Sequence, residues 1–293
     1  FVMSTGIIGH ALPMDRVATG IESAAEALSN TQTAFLDAAD GILTTDQGRK
    51  VLSSMIDLGD REIKIAAMAK GAGMIGPNMA TMLCQVITDA PISLDDAQNM
   101  LSRVANRSFN NISVEGHTST NDTMLLLANG QAGGPELVGA QLDVLENELA
   151  KLCIELAKMI PTDGEGASHL IEVNVAGARS DDDARKIAHA VASSNLVKTA
   201  VYGADPNWGR IVSAAGYAGR PLEVDRLALS INGFELFSAG EPIAFDKAGA
   251  SDSIRQSPTT KINLIVGSGA GSCTHWTSDL SVEYVRFNSE YTT

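Results

Sequence analysis

The chain has 293 residues, of which 44% are hydrophobic, 19% charged and 4% aromatic, with 27 glycines. That balance excludes a disordered polymer and allows one large core or two modest ones packed from small side chains, which favours α/β layers. A formal net charge of −14 argues against nucleic acid or an anionic membrane as partner, and three scattered cysteines (Cys84, Cys153, Cys273) argue against a disulfide framework. No apolar run reaches the roughly 18 residues of a membrane span, and no charged start leads into a signal segment. The first residue is Phe1, so the chain is expected to begin inside a longer protein.

Residues 1–13 read as a strand ending in a small-residue turn at Ser4-Thr5-Gly6. Val17, Ile21, Ala24 and Leu28 recur at helical spacing, with Asp15 placed to favour the positive end of the helix dipole. Residues 41–46 look like a short strand, and 49–68 like a hairpin turning at Gly59-Asp60. A second strand-like run begins at Thr81, and Ser93 opens a helix as an N-cap with Asp95 and Asp96 in its first turn. Residues 116–129 pass from a polar run into a strand. The longest helix carries Leu142, Leu145, Leu149, Leu152 and Leu156 as a core-packing seam and is expected to end before Pro161. PTDGEGAS at 161–168 is an acidic loop, followed by a strand and a helix from Ser180 whose Asp181, Asp182 and Asp183 serve as dipole partners. LVKTAVYG (196–203) reads as a strand, GADPNWGR (203–210) as a loop, and Asn232-Gly233 as a hairpin turn. KINLIVGSG and DLSVEYVRF close the chain as strand candidates. The alternation predicts an α/β fold: a sandwich of mixed sheets flanked by helices.

The stretch 67–90, AMAKGAGMIGPNMATMLCQVITDA, places a lone Lys70 and a hydroxyl, Thr81, around a glycine-rich irregular loop. One reading is a tolerant turn with a solvated lysine. A phosphate loop is disfavoured, since neither GxxxxGK[ST] nor GxGxxG order is present. A third reading is an N-terminal nucleophile. If the Ala80–Thr81 bond is cut, the new α-amine of Thr81, with an ordinary pKa of about 7.7–8.0, becomes the base its own hydroxyl needs.

KGAGMIGPNMATML followed by TDA resembles the self-cleavage segment of the ornithine acetyltransferases (glutamate N-acetyltransferases), and STGIIGHALPM, TTD, STNDT, GADPNWGRI and the ending RFNSEYTT are similar to further motifs of that family. The resemblance implies a self-cleaving enzyme of the N-terminal-nucleophile type. Its parts would be residues 1–80, with an upstream segment missing, and 81–293, two copies of each, cut between Ala80 and Thr81. It implies transfer of an acetyl group from N-acetylornithine to glutamate through acetyl-Thr81, without metal or prosthetic group, and leaves open whether acetyl-CoA is also a donor. Thr5 and Gly6 would form the oxyanion hole. Lys70 would bind a substrate carboxylate and Glu165 a distal ammonium, with Thr44, Thr81, Asn288 and Thr293 as further substrate contacts. For Glu165 a solvated loop carboxylate stays open as the simpler reading. Strand alternation would let one of Thr44 and Thr45 face the pocket, and Thr44 is favoured. STNDT and GADPNWGRI receive no chemical role. The five histidines show no metal-ligand spacing. An N-terminal-threonine amidohydrolase or aminopeptidase, and an uncleaved non-catalytic subunit, are the alternatives. The expected compartment is the cytoplasm, with the mitochondrial matrix as the other option.

Overall fold

In a computed structural model the described residues are 2–76 and 82–291. Ala80, Thr81 and Thr293, three of the positions singled out above, lie outside them. Residues 2–13 form no strand. They run as a mostly exposed segment with a turn at Ile8-Gly9, because their apolar residues meet no sheet edge to pair with among the described residues. Helix α1 (Met14–Glu26) starts after Pro13 and buries none of its residues. A second helix the periodicity did not reveal, α2 (Gln32–Gly41), is capped by Thr31, whose hydroxyl accepts from the Ala34 N–H.

The expected hairpin is strands β1 (Lys50–Asp57) and β2 (Glu62–Lys70), joined through Gly59-Asp60. Strand β3 (Leu83–Thr88) lies antiparallel to β2, from Ile65 opposite Thr88 to Lys70 opposite Leu83. Helix α3 (Leu94–Arg107) takes Ser93 as its cap. After β4 (Ile112–Ser113), strand β5 (Thr123–Ala128) pairs in parallel with β3, completing a sheet in the order β1-β2-β3-β5.

Helix α4 (Ala140–Thr162) runs past its expected stop. Pro161 sits within its last turn, and the Asp163 N–H caps the Met159 and Ile160 carbonyls beyond it. Next come β6 (Leu170–Ala178) and α5 (Asp181–Ala192), the latter capped by Ser180. The predicted strand at 196–203 is instead α6 (Asn195–Tyr202). Ser194 caps it, and Val197, Ala200 and Val201 are buried at helical spacing, so tertiary burial outweighs β-branched propensity. The loop expected at 203–210 gives way at Trp208 to α7 (Trp208–Gly216), capped by Asn207.

Strands β7 (Ala228–Ile231) and β8 (Phe234–Ser238) form the predicted hairpin, with Asn232 and Gly233 both at positive φ. After β9 (Glu241–Pro242) and α8 (Lys247–Gln256) come β10 (Thr259–Ile265) and β11 (Gly271–Ser278). The last predicted strand, DLSVEYVRF, is in fact α9 (Val282–Glu290), because the Ser281 hydroxyl caps the Tyr284 N–H and opens a helix. The second sheet is ordered β4-β11-β6-β10-β7-β8-β9, with parallel β6/β10 and β4/β11 pairs among antiparallel ones.

Helix α4 packs on β1 and β2 and also touches β4, β6 and β11, so it fills the space between the two sheets. Leu149, Cys153, Leu156 and Ile160 join Ile63, Ile65 and Ala67 of β2 and Trp276 of β11 in one core. A second core forms where Ile171, Val173 and Val175 of β6 meet Ile187, Ala188 and Val191 of α5. The leucine seam is therefore core packing. Leu149→Ala, which empties a 1% exposed position, is expected to cost about 2–5 kcal/mol in urea unfolding, whereas Leu94→Ala at an 84% exposed helix start should cost little.

Candidate active site

One buried ammonium ties together three segments far apart in sequence. Lys50, the first residue of β1, is 2% exposed. Its Nζ lies 2.7 Å from Asp46 Oδ1 and 2.5 Å from Asp163 Oδ2. Asp46 Oδ1 also accepts the Gly71 N–H at 2.6 Å, and its Oδ2 accepts the Thr44 N–H at 3.2 Å. Asp163 Oδ2 accepts the Gln47 N–H at 3.0 Å. Burial pushes the Asp46 carboxyl up, but the hydrogen bonds from Lys50 and Gly71 outweigh it and hold the group below the usual carboxylate range.

This clamp docks the 42–49 segment onto the glycine-rich loop and the 163–166 loop. The 42–49 segment contains no strand, contrary to the sequence expectation; it is a chain of bends held by side-chain hydrogen bonds. Strict alternation therefore does not apply, and both threonines point at charged groups. Thr44 Oγ1 accepts from Lys70 Nζ at 3.3 Å, and Thr45 Oγ1 donates to Glu165 Oε1 at 2.9 Å. Asn288 of α9 donates to Glu165 Oε2 at 3.1 Å, so both carboxylate oxygens are engaged. The Glu165 N–H bonds the Ala72 carbonyl, and its carboxylate lies so close over Gly73 that a Cβ there would collide with it. Lys70 ends β2 at 1% exposure. Burial lowers its ammonium below the ordinary lysine value, opposed by the negative charges of Asp46 and Asp122.

The far side of the loop is fixed as tightly. The Ile75 N–H donates to Glu115 Oε1 at 2.7 Å, and the Ile75 carbonyl accepts from Val114 and Gly116. A Cβ on Gly76 would stand 2.5 Å from the Gly116 backbone, so only glycine lets the two strands of loop approach this closely. Beneath them, the 4% exposed Lys198 of α6 donates to the Val114 carbonyl; burial pushes its ammonium down to about 8, against the pull of Glu115 and Asp279. Burial raises Glu115 in turn.

At the start of β3, Asp122 Oδ1 accepts the Met82 N–H at 2.6 Å, and Thr123 N–H bonds the Met82 carbonyl at 3.0 Å. Burial pushes the Asp122 carboxyl up to about 6, opposed by the Met82 hydrogen bond and the charge of Lys70. Its chain neighbours Thr120 and Asn121 share a cleft of about 240 Å³ with Ser4, Gly6, Ile7, Gly9 and His10, which brings the segment holding Thr5 and Gly6 to the same end of the sheet. Thus Lys70, Glu165, Thr44 and Asn288 converge on one loop, and Gly6 reaches the neighbouring turn. Sequence reasoning kept Thr45 only as the less favoured alternative to Thr44, and it missed Lys50, Asp163, Glu115, Lys198 and Asp122. Only Asp122 carried a signal, as part of the STNDT stretch that had a resemblance but no role.

Chemically, the loop presents a buried cation on one flank and an anchored carboxylate on the other, a pairing suited to a molecule carrying both a carboxylate and an ammonium. Among the described residues no group of His, Cys, Asp or Glu is arranged to hold a metal ion, and no helix is long and apolar enough to cross a membrane.

The family model described as the ArgJ family matches residues 1–293. The chain is 50% identical to the "Arginine biosynthesis bifunctional protein ArgJ" of Rhodopirellula baltica, over all of this chain and 72% of that protein. It is 46% identical to "Arginine biosynthesis bifunctional protein ArgJ 1" of a Nostoc species, over 99% of this chain and 72% of that one. The crystal structure of the arginine biosynthesis bifunctional protein from Bacillus halodurans aligns with a TM-score of 0.68 at 38% identity, covering 69% of this chain and 96% of the solved chain.

Replacing Lys50 by Met would leave Asp46 and Asp163 facing each other without a cation. The expected cost is about 3–5 kcal/mol in urea unfolding, partly recovered by adding Asp46→Asn.

Proposed function

The chain belongs to the ArgJ family, and from that premise we propose that it moves an acetyl group from N-acetylornithine to glutamate after cutting itself between Ala80 and Thr81. In this reading residues 1–80 and 81–293 remain together as two fragments, two copies of each. The Thr81 α-amine takes the hydroxyl proton, and Oγ attacks the acetyl carbonyl. Thr5 and the Gly6 N–H stabilise the oxyanion, and ornithine leaves. Glutamate then attacks the acetyl-Thr81 ester and departs acetylated. Lys70 holds the α-carboxylate of either amino acid. Glu165, oriented by Thr45 and Asn288, takes the distal ammonium of ornithine, and Thr293 closes the site. The proposal extends to acetyl-CoA as a second donor, and an assay of glutamate acetylation with acetyl-CoA in place of N-acetylornithine tests it.

The observation that carries the proposal is the charge pair on the loop: Lys70 with Thr44 on one flank, Glu165 with Thr45 and Asn288 on the other. Lys70 is 1% exposed yet, among the described side chains, bonds only the Thr44 hydroxyl, unlike the buried Lys50 with its two carboxylates, which supports a carboxylate of the substrate as its partner.

Intact mass under denaturing conditions tests the cut, and Thr81→Ala should abolish cleavage and transfer together. A Thr81→Ala chain that transfers acetyl groups at the normal rate would overturn the mechanism. Acetate release that does not require glutamate would mark a hydrolase instead. Glu165→Gln should raise KM for N-acetylornithine roughly 10- to 100-fold, the value of a hydrogen bond to a charged group.

A further inference from the structure

The ammonium-binding pair of the proposed site comes from two separate segments, Glu165 from the loop after α4 and Asn288 from α9. Helix α9 buries none of its residues, so packing into a core does not by itself fix where Asn288 stands. We propose that Ser281 and Asp279, in the turn between β11 and α9, are positioning residues that hold this pair together and so set the affinity for the ammonium-bearing donor without touching it. The inference rests on Glu165 taking that ammonium, as proposed above.

The turn carries buried polar groups aimed at the Glu165 loop. Asp279, 3% exposed, follows the last residue of β11. Its Oδ1 accepts the Ser168 N–H at 2.9 Å, its Oδ2 accepts the Ser168 hydroxyl at 2.5 Å, and its own N–H bonds the His169 carbonyl at 3.1 Å. His169 Nδ1 stands 3.3 Å from the same Oδ2. Ser281, 4% exposed, uses its hydroxyl twice: it donates to the Gly166 carbonyl at 2.5 Å and accepts the Tyr284 N–H at 2.9 Å, which caps α9. Between these bonds the two segments touch backbone to backbone. Gly166 has a φ of +67°, and a Cβ there would collide with the Tyr284 nitrogen, so the first turn of α9 lies directly on the residue after Glu165. The ring of Tyr284 packs half-buried beside the α4 core, and Glu283 accepts from the Tyr202 hydroxyl of α6.

The Glu165 loop is thus anchored twice, by different groups. At its start Asp163 is held by Lys50, in the clamp that also places Thr44 beside Lys70. At its end Asp279 holds Ser168, and Ser281 holds Gly166. Glu165 lies between the anchors, and Asn288 follows Ser281 by about two helical turns. Loosening the second anchor leaves the Lys70 flank as it is and lets Glu165 and Asn288 drift apart. N-acetylornithine, whose distal ammonium needs an oriented Glu165, then binds less well. Glutamate has no distal ammonium and does not.

Steady-state kinetics of the full-length protein, with N-acetylornithine and glutamate varied in turn, tests this. Ser281→Ala should raise KM for N-acetylornithine roughly 5- to 20-fold, with kcat and KM for glutamate held within about twofold. Ser281→Thr keeps the hydroxyl and should recover most of the loss. Ser168→Ala, at an exposed position, removes one Asp279 bond and should shift the same KM by a smaller factor. Ser93→Ala removes an equivalent cap from α3 and should move neither KM. In a Glu165→Gln chain, Ser281→Ala should add less than about twofold, because a residue acting through Glu165 has nothing left to position. The proposal is overturned if Ser281→Ala leaves KM for N-acetylornithine unchanged, raises both KM values alike, or keeps its full effect in the Glu165→Gln chain. Should Ser281→Ala fail to fold, as judged by thermal melting, Ser168→Ala decides by the same readings. A Glu165→Gln chain with unaltered KM for N-acetylornithine would sink the reading of Glu165 and this proposal with it, which separates that failure from a failure of Ser281 and Asp279 alone.

Discussion

The site depends on a lysine that never touches it. Lys50 is buried between two carboxylates, one preceding it by four residues and one on the loop after α4. Pairs of this kind add little net stability compared with apolar packing, because desolvating the charges consumes most of the Coulomb gain. What they contribute is register. Asp46 can meet Lys50 and the Gly71 N–H together only if the threonine turn lies on the glycine loop, and Asp163 can join only if the loop bearing Glu165 comes with it. The positions of Thr44, Thr45, Lys70 and Glu165 all follow from that one arrangement.

A second constraint is the shared desolvation of opposite charges. Lys70 and Asp122 sit at the same end of the sheet on either side of β3, where Lys70 pairs with Leu83 and Leu83 with Thr123. Burial lowers the ammonium and raises the carboxyl, and each group's field partly corrects the other. Glu115 and Lys198 repeat the pattern under the other flank of the loop. The loop thus lies between two sets of partly desolvated opposite charges, in a chain whose surplus charge is strongly negative.

Much of this was legible in the sequence wherever one residue type has one physical use. The glycines of 71–76 announced close backbone approach, the lone lysine a buried cation, Ser93 and Ser180 helix starts, and Asn232-Gly233 a hairpin. The alternation of periods announced a mixed α/β fold, and α4 kept its leucine seam in the core. The failures have particular causes. Residues 196–203 and 279–287 contain valines that suit a strand, yet Ser194 and Ser281 cap helices there. Residues 41–46 look extended, but Asp46 folds them into bends. That mistake hid Thr45, since the choice between two threonines assumed a pleat that does not exist. Asp122 and Lys50 were illegible for another reason: their partners lie across strand pairings or more than a hundred residues away, and no local spacing encodes such contacts.

The ladder between β2 and β3 crosses the point where the chain is proposed to be cut. Six residue pairs, from Ile65–Thr88 to Lys70–Leu83, join strands that would then belong to different polypeptides. β2 is also buried beneath α4, through Ile63, Ile65 and Ala67. Scission would therefore not release a fragment; it would leave two chains whose shared interface is the middle of a sheet. Refolding from separated chains would then require association of the two pieces, so dilution would lower the melting temperature of the cut molecule. The core around β6 and α5 lies wholly within 81–293, but the core under α4 is shared across the cut, so chains separated afterwards would have to find each other again to rebuild it.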